Sequence, residues 1–231
     1  ASARDVLGMY FDYLPEAPRE LYLDYMMSSA LGSKDGMCLI HAVWSGDEAQ
    51  AEQAFAPILK AAEPVQQNVG KLPYVEVQRE WDNTDPRNTG QYLKSGFVNE
   101  LPGKLADTLV QNFDTLEERG TTLFFQCSGG AIGDVAPSAT AFAHRKSIAN
   151  MFTVVDWPKE QDPTPHVAYT RENWKALQPF TDGWYTNEAG GESQEEFNRN
   201  YQVNLDRLVR VKNQYDPTNL FRLNANIKPT V

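Results

Sequence analysis

The chain has 231 residues, 41% of them hydrophobic, and a formal net charge of −10. That length fits one large domain or two small ones and supplies enough apolar matter for a sizeable core. The acid excess argues against nucleic acid, which rewards basic patches through counterion release, and against an anionic membrane surface.

In chain order, residues 3–14 read as a helix that stops at Pro15. No run of about 18 apolar residues follows anywhere, so no membrane span is predicted. The opening ASARDVLGMYFDYL lacks the charged start and long apolar stretch of a signal peptide, as expected of a chain that begins inside a longer protein. ELYLDYMMSS reads as a strand and GMCLIHAVWSG as a second, denser one, with the DGM turn predicting a hairpin. Asp47 caps a helix in GDEAQAEQAFAPILKAA, which places Ala51, Phe55, Ile58 and Leu59 on one face and stops at Pro64.

A polar loop, WDNTDPRNTG at 81–90, leads to a strand in QYLKSGFVN. The helix PGKLADTLVQNFDTLEERG is expected to run from Pro102 to Gly120. TTLFFQCSGG reads as a strand, GGAIGDVAPSATAFAHR as a small-residue loop, SIANMFTVVDW as a strand and TPHVAYTRENWKALQPF as a helix. The order β-β-α-β-α-β-β-α predicts an α+β fold: an antiparallel sheet with helices packed on one face, plus a C-terminal helix and an extended arm.

The break GGES at 190–193 precedes that last helix, about residues 194–215, where Ser193 and Glu196 form a capping-box pattern. Phe197, Tyr201, Asn204, Leu205, Leu208, Val211, Lys212 and Tyr215 recur at helical spacing, so one face is expected to be buried. Asp216-Pro217 ends the helix. Cys38 and Cys127 lie in apolar runs and are expected to be buried free thiols in a cytoplasmic protein. His41, His144 and His166 are far apart and belong to no cluster with metal-ligand spacing, so no metal site is expected. Gly129 and Gly130 permit tight backbone geometry but are not part of a phosphate loop.

The closing KNQYDPTNLFRLNANIKP resembles the end motif of the berberine-bridge-enzyme-like proteins, a branch of the FAD-linked oxidases. The matching positions are Lys212, Tyr215, Asp216, Pro217, Asn219, Phe221, Arg222, Asn226, Ile227 and Pro229, with Lys228 interrupting the final Ile and Pro. NYQVNLDRLVRVK is similar to the family helix at Tyr201, Asn204, Arg207 and Leu208. Further upstream, the GDE-initiated helix, YLKSGF at 92–97, GGAI at 129–132, TAFAHR at 140–145 and WYTNE at 184–188 resemble family motifs in the family's order. Each motif alone is weak; together they extend the resemblance from about residue 20 to 229.

The resemblance implies the substrate-domain portion of an FAD-dependent oxidoreductase that oxidises an alcohol or sugar-like hydroxyl by hydride transfer to flavin. Residues 1–189 are then the substrate-binding domain, and residues 190–231 a helix and arm that pack on an N-terminal flavin domain. That flavin domain would bind most of the FAD, and residues 1–20 cannot supply it. It is expected in the same protein or in a partner chain, and this chain alone is expected to be inactive. The other expected partners are a small-molecule substrate and, through the apolar C-terminal stripe, a second copy in a homodimer. The alternative is a non-catalytic ligand-binding or interaction module, which would be colourless where a flavoprotein is yellow.

The same resemblance assigns site residues. Tyr185 takes the place of the family's general base, which removes a hydroxyl proton. A phenol with its ordinary pKa of about 10 needs a nearby cation or donors for that task, and Lys94 is the cation considered. Asn187, Asn204 and Tyr201 are expected near the flavin, Asn187 and Asn204 either touching it or orienting Tyr185, and Tyr201 lining the substrate cavity. Asn150, Phe152, His144 and Arg145 are expected toward the substrate. Read without the resemblance, Tyr185 is a half-buried structural tyrosine, Tyr201 a packing residue, and His144-Arg145 a pair that satisfies backbone carbonyls. The strand NMFTVVDW departs from the family, which often carries a second acid or amide facing the substrate. Phe152 or Val154 stands there instead, with Asn150 the only polar residue nearby.

Overall fold

The computed structural model of the chain describes residues 3–80, 82, 88–188 and 193–231. Five strands form one antiparallel sheet: β1 (Leu21–Ser29), β2 (Gly36–Trp44), β3 (Thr89–Val98), β4 (Gly120–Cys127) and β5 (Ala149–Pro158), in the order β2-β1-β4-β5-β3. Helices α1 (Ala3–Tyr13), α2 (Glu48–Ala61), α4 (Gly103–Asn112) and α5 (Thr164–Leu177) pack on one another and on one face of that sheet. A short α3 (Tyr74–Arg79) lies between α2 and β3. The closing region holds α6 (Gln194–Asn200), α7 (Leu205–Tyr215) and an irregular arm. The architecture is the α+β layer that the strand and helix order predicts.

Side chains alternate across a strand, so β1 presents Leu21, Leu23, Tyr25 and Met27 to the helices. Leu123 and Phe125 of β4 and Ala149 and Met151 of β5 join them. Against these sit Leu7, Tyr10 and Phe11 of α1, Leu105 and Leu109 of α4, and Trp174 and Leu177 of α5. Each such buried side chain contributes about 1.5–3 kcal/mol. Tyr10, Phe11, Tyr25 and Phe125 form an aromatic knot with ring centroids 5.5–6.3 Å apart, the separation at which tilted rings attract.

Asp47 caps α2 as expected, its carboxylate accepting the Ala49 N–H at 3.0 Å. Four expectations are corrected. Helix α4 stops at Asn112 rather than at Gly120: Phe113 turns extended, the Asp114 carboxylate accepts from the Thr121 hydroxyl, and Arg119 stacks on the Tyr169 ring. The last helix is broken at Tyr201–Asn204, where Gln202 takes φ 47°. No residue of α7 is fully buried, and Val211 and Tyr215 are exposed. Cys38 is an exposed free thiol on the edge strand, while Cys127 is a half-buried one. Most of the loop expected at 81–90, the GGES break at 190–192 and the division at 189–190 lie outside the described residues.

No helix among the described residues is long and apolar enough to cross a membrane. Among the same residues, no group of His, Cys, Asp and Glu is arranged to hold a metal ion.

Candidate functional site

The face of the sheet opposite the helices carries a cluster of polar and titratable side chains. Pairing across β1, β2, β4 and β5 aligns His41 with Asp24 and Gln126 with Asn150, and the Tyr25–Phe125 pair sets Asp24 beside Gln126. These side chains make a polar row across the strands. The next row, Leu39, Met26, Phe124 and Phe152, is apolar, with the Phe124 and Phe152 rings 5.7 Å apart. A flat apolar band beside a polar one suits a ligand with a ring and hydroxyl groups.

Residues 182–188 are laid against this face from the edge of β3. Phe97 N–H donates to Gly183 O and Asp182 N–H to Phe97 O, both at 2.8 Å. Gly183 sits at φ 88°, and a Cβ there would lie 2.3 Å from the His144 ring, so the turn requires glycine. The turn delivers Tyr185, which is 38% exposed. Its hydroxyl accepts the Asn187 amide at 2.8 Å. Glu188 follows, its N–H returning to Tyr185 O at 3.1 Å. The Asn150 amide donates to the Glu188 carboxylate at 3.0 Å. Burial raises the Glu188 carboxyl from its ordinary range, and this hydrogen bond only partly opposes it. Asn150 is buried, and its Oδ1 has no partner among the described residues. An orphaned acceptor on a site face is costly unless something donates to it.

Other residues singled out in the sequence are occupied structurally. His144 is buried, stacked on Phe97 at 4.7 Å, with Nε2 on Asn200 Oδ1 at 3.2 Å and Nδ1 on the Gln202 amide at 3.3 Å. A proton on Nε2 satisfies both bonds. Burial pushes this imidazole below its ordinary pKa. Arg145 donates to Phe142 O, Ile132 O and the Thr140 hydroxyl, the carbonyl-satisfying role. Asn204 donates to Pro137 O and Ala141 O, and Tyr201 donates to Ala225 O. These bonds tie the closing helices to the 136–147 loop and to the arm. Lys94 pairs with Thr153 and so shares the helix-covered face of β3; the structure does not bring it to Tyr185.

Sequence reasoning missed the acids of this face. Asp24 is 4% exposed in mid-sheet. Its Oδ1 accepts the Cys127 N–H at 2.8 Å and its Oδ2 the Tyr22 hydroxyl at 2.5 Å. Burial pushes its carboxyl up to about 6, against the pull of those two donors and of His41. Burial, then Asp24, pushes the Tyr22 phenol up, while the Gln126 amide pulls it down. His41 meets Glu80 at 3.0 Å and stands edge-on to the Tyr22 ring. The one available signal was an aspartate inside LYLDYMMSS, since carboxylates are depleted in strands.

The architecture recurs as about half of larger solved structures. It superposes on aclacinomycin oxidoreductase with a TM-score of 0.82 at 16% identity, covering 98% of this chain and 52% of that one. Chitooligosaccharide oxidase gives 0.81 at 19% identity, covering 99% and 53%. Residues 185–228 match the family model described as Berberine and berberine like. An FAD-linked oxidoreductase of Dictyostelium discoideum is 25% identical over 99% of this chain and 50% of its own length. An uncharacterized FAD-linked oxidoreductase of Bacillus subtilis, YgaK, is 27% identical over 80% of this chain and 41% of its own. The chain is thus similar to FAD-linked oxidoreductases along most of its length and to the berberine-bridge family model over residues 185–228, and it spans about half the length of the curated relatives it matches.

Proposed function

We propose that these residues are the substrate-binding portion of an FAD-dependent oxidoreductase that oxidises an alcohol or sugar-like hydroxyl. The observation that carries the reading is the family match beginning at Tyr185, the residue that the 182–188 turn brings to the open sheet face. The residues present fit a flavin: the apolar row of Phe124, Phe152 and Met26 suits a flat ring system, and Asn150 Oδ1 is a buried acceptor awaiting a donor. Tyr185, Asn187 and Asn150 are the groups that would meet the flavin and substrate, most other FAD contacts coming from residues outside these 231. When bound, the flavin supplies a hydride acceptor.

The chain's own part is binding and proton handling. Tyr185 Oη, as the phenolate, receives the hydroxyl proton and becomes the phenol, and the Asn187 amide at 2.8 Å holds that oxygen in place and stabilises its negative charge before the transfer. Asn150 Oδ1 accepts a hydrogen bond from a donor on the ligand, with its amide fixed by Glu188.

The test is Tyr185→Phe in the full-length flavin-loaded protein, followed by rapid-mixing reduction of the flavin. Loss of a general base lowers that rate about 10²- to 10⁴-fold, while flavin content and substrate affinity stay near those of the parent. A near-normal rate would return Tyr185 to a packing role.

A further inference from the structure

Along β5 the side chains on the open face run Asn150, Phe152, Val154 and Asp156. The 182–188 turn joins the sheet at Phe97, the partner of Asn150, so Asp156 stands at the opposite end of the face. It lies roughly 14 Å from Phe152, at about 3.4 Å per residue. We propose that Asp156 is a ligand-binding residue: its carboxylate takes the protonated amine of an elongated ligand whose ring system lies on Phe124 and Phe152. The proposal rests on the ligand site of the preceding section and extends it in length and in charge, but it needs no oxidation of the ligand.

Asp156 is half-buried, and burial raises its carboxyl above the ordinary value. Among the described residues, no hydrogen bond or ion pair holds this carboxylate. A carboxylate drawn partly out of water without a donor is costly, and the cost is relieved when a donor arrives. Its seat is made by Gly120, the residue opposite it on β4: a Cβ there would lie 2.3 Å from Asp156 Oδ2. The carboxylate therefore lies across the sheet over the glycine instead of standing out into solvent. Space is what this glycine supplies.

The surface between the rings and the carboxylate fits a slender apolar link. Val154 faces Thr122 on β4 and Leu93 on β3. Nearer the rings, Ser95 stands opposite Phe152 with a buried hydroxyl that has no partner among the described residues. Orphaned polar atoms, Asn150 Oδ1 and Ser95 Oγ, thus occur beside Phe152 on the face that Asp156 shares, a second sign that a ligand completes it. The charge of that ligand follows from what the face lacks. None of the strand positions on this face is lysine or arginine, and Lys94 belongs to the other face. A hydroxyl could donate to Asp156, but an ammonium donates and brings the missing charge, and charge-assisted bonds of this kind are roughly twice as strong as neutral ones. The net charge of −10 attracts such a ligand.

The experiment uses the full-length flavin-loaded protein and isothermal titration calorimetry at low salt. One probe is dansylcadaverine, whose naphthalene ring and primary amine are joined by a pentyl chain of the required reach. The other is its N-acetyl derivative, with the same ring and chain and no charge. The parent should bind the amine at least about tenfold more tightly than the acetylated probe. Asp156→Asn removes the charge and keeps the shape. It should bring the two probes within about twofold of each other, while the acetylated probe binds as it does to the parent. Gly120→Ala keeps the carboxyl and unseats it; it should also lose most of the preference, and it decides the matter if Asp156→Asn folds poorly. Equal binding of the two probes by the parent, a preference kept in full by a folded variant, or no binding of either probe overturns the proposal. Binding is read and turnover is not, so failure of the oxidase reading at Tyr185 leaves this result standing, and failure here leaves Tyr185 to its own test.

Discussion

Replacing Asp24 by asparagine should stabilise the fold, and the gain should depend on pH. The ordinary aspartate value is 3.8, and burial places Asp24 at about 6. At 1.36 kcal/mol per unit that gap corresponds to about 3 kcal/mol. Below pH 3.8 the carboxyl is neutral in both folded and unfolded chains. Between 3.8 and about 6 the unfolded chain releases this proton while the folded chain holds it, so stability falls as pH rises. Above 6 the full cost is present.

Asparagine keeps an acceptor for the Cys127 N–H and offers its amide to Tyr22 Oη, so the hydrogen bonds survive the change. The expected gain is near zero at pH 4 and rises to about 3 kcal/mol at pH 8. His144 shifts in the opposite sense, destabilising the fold as pH drops below its ordinary range, but it is present in both proteins and cancels. Urea unfolding of parent and variant at pH 4, 5, 6, 7 and 8 reads the difference. A variant with a pH-independent difference, or one less stable at pH 8, would refute a buried carboxyl with a raised pKa.

Asn200→Ala strips a common acceptor from Trp184 N–H and His144 Nε2, and should cost roughly 2–4 kcal/mol by urea unfolding, since a buried and a part-buried donor lose their partner. A loss under about 1 kcal/mol would mean that water replaces the amide. Asp216→Ala removes the carboxylate that accepts from Leu220 N–H, Phe221 N–H and Lys212. Amide exchange from 217 to 223 should quicken while exchange in the sheet stays unchanged; unaltered exchange in the arm would show that other bonds fix it.

All five strands and most helices of the sheet domain were legible from apolar runs bounded by turn residues, caps and prolines. β1 alternates, α2 announces its cap, and Pro15 and Pro64 end what precedes them. α3 was not legible: it is six residues long, carries two valines, and its N-terminus has no side-chain cap. The break in the last helix was hidden because Tyr201 and Asn204 keep helical spacing in the sequence. Their side chains instead bond to Ala225 O and to Pro137 O, and Gln202 bends the backbone to allow it. Tyr185, Asn187 and Asn150 of the candidate site were named from motif and strand pattern. Asp24, Glu188 and Gln126 were not, because the polar row exists only once strand register is set, and register is a long-range property.

The arm after α7 has a backbone fixed at many points. Lys212 donates to Phe221 O, Asn213 exchanges two bonds with Thr230, and Gln194 and Tyr201 donate to Asn226 O and Ala225 O. Its side chains are turned out all the same: Leu220, Phe221 and Leu223 are 67–83% exposed. Conformational entropy that a loose tail would lose on contact has therefore already been lost within the chain. Preorganisation of this kind slows dissociation more than it hastens encounter, so a surface that receives these three residues would hold them longer than their small apolar area alone implies.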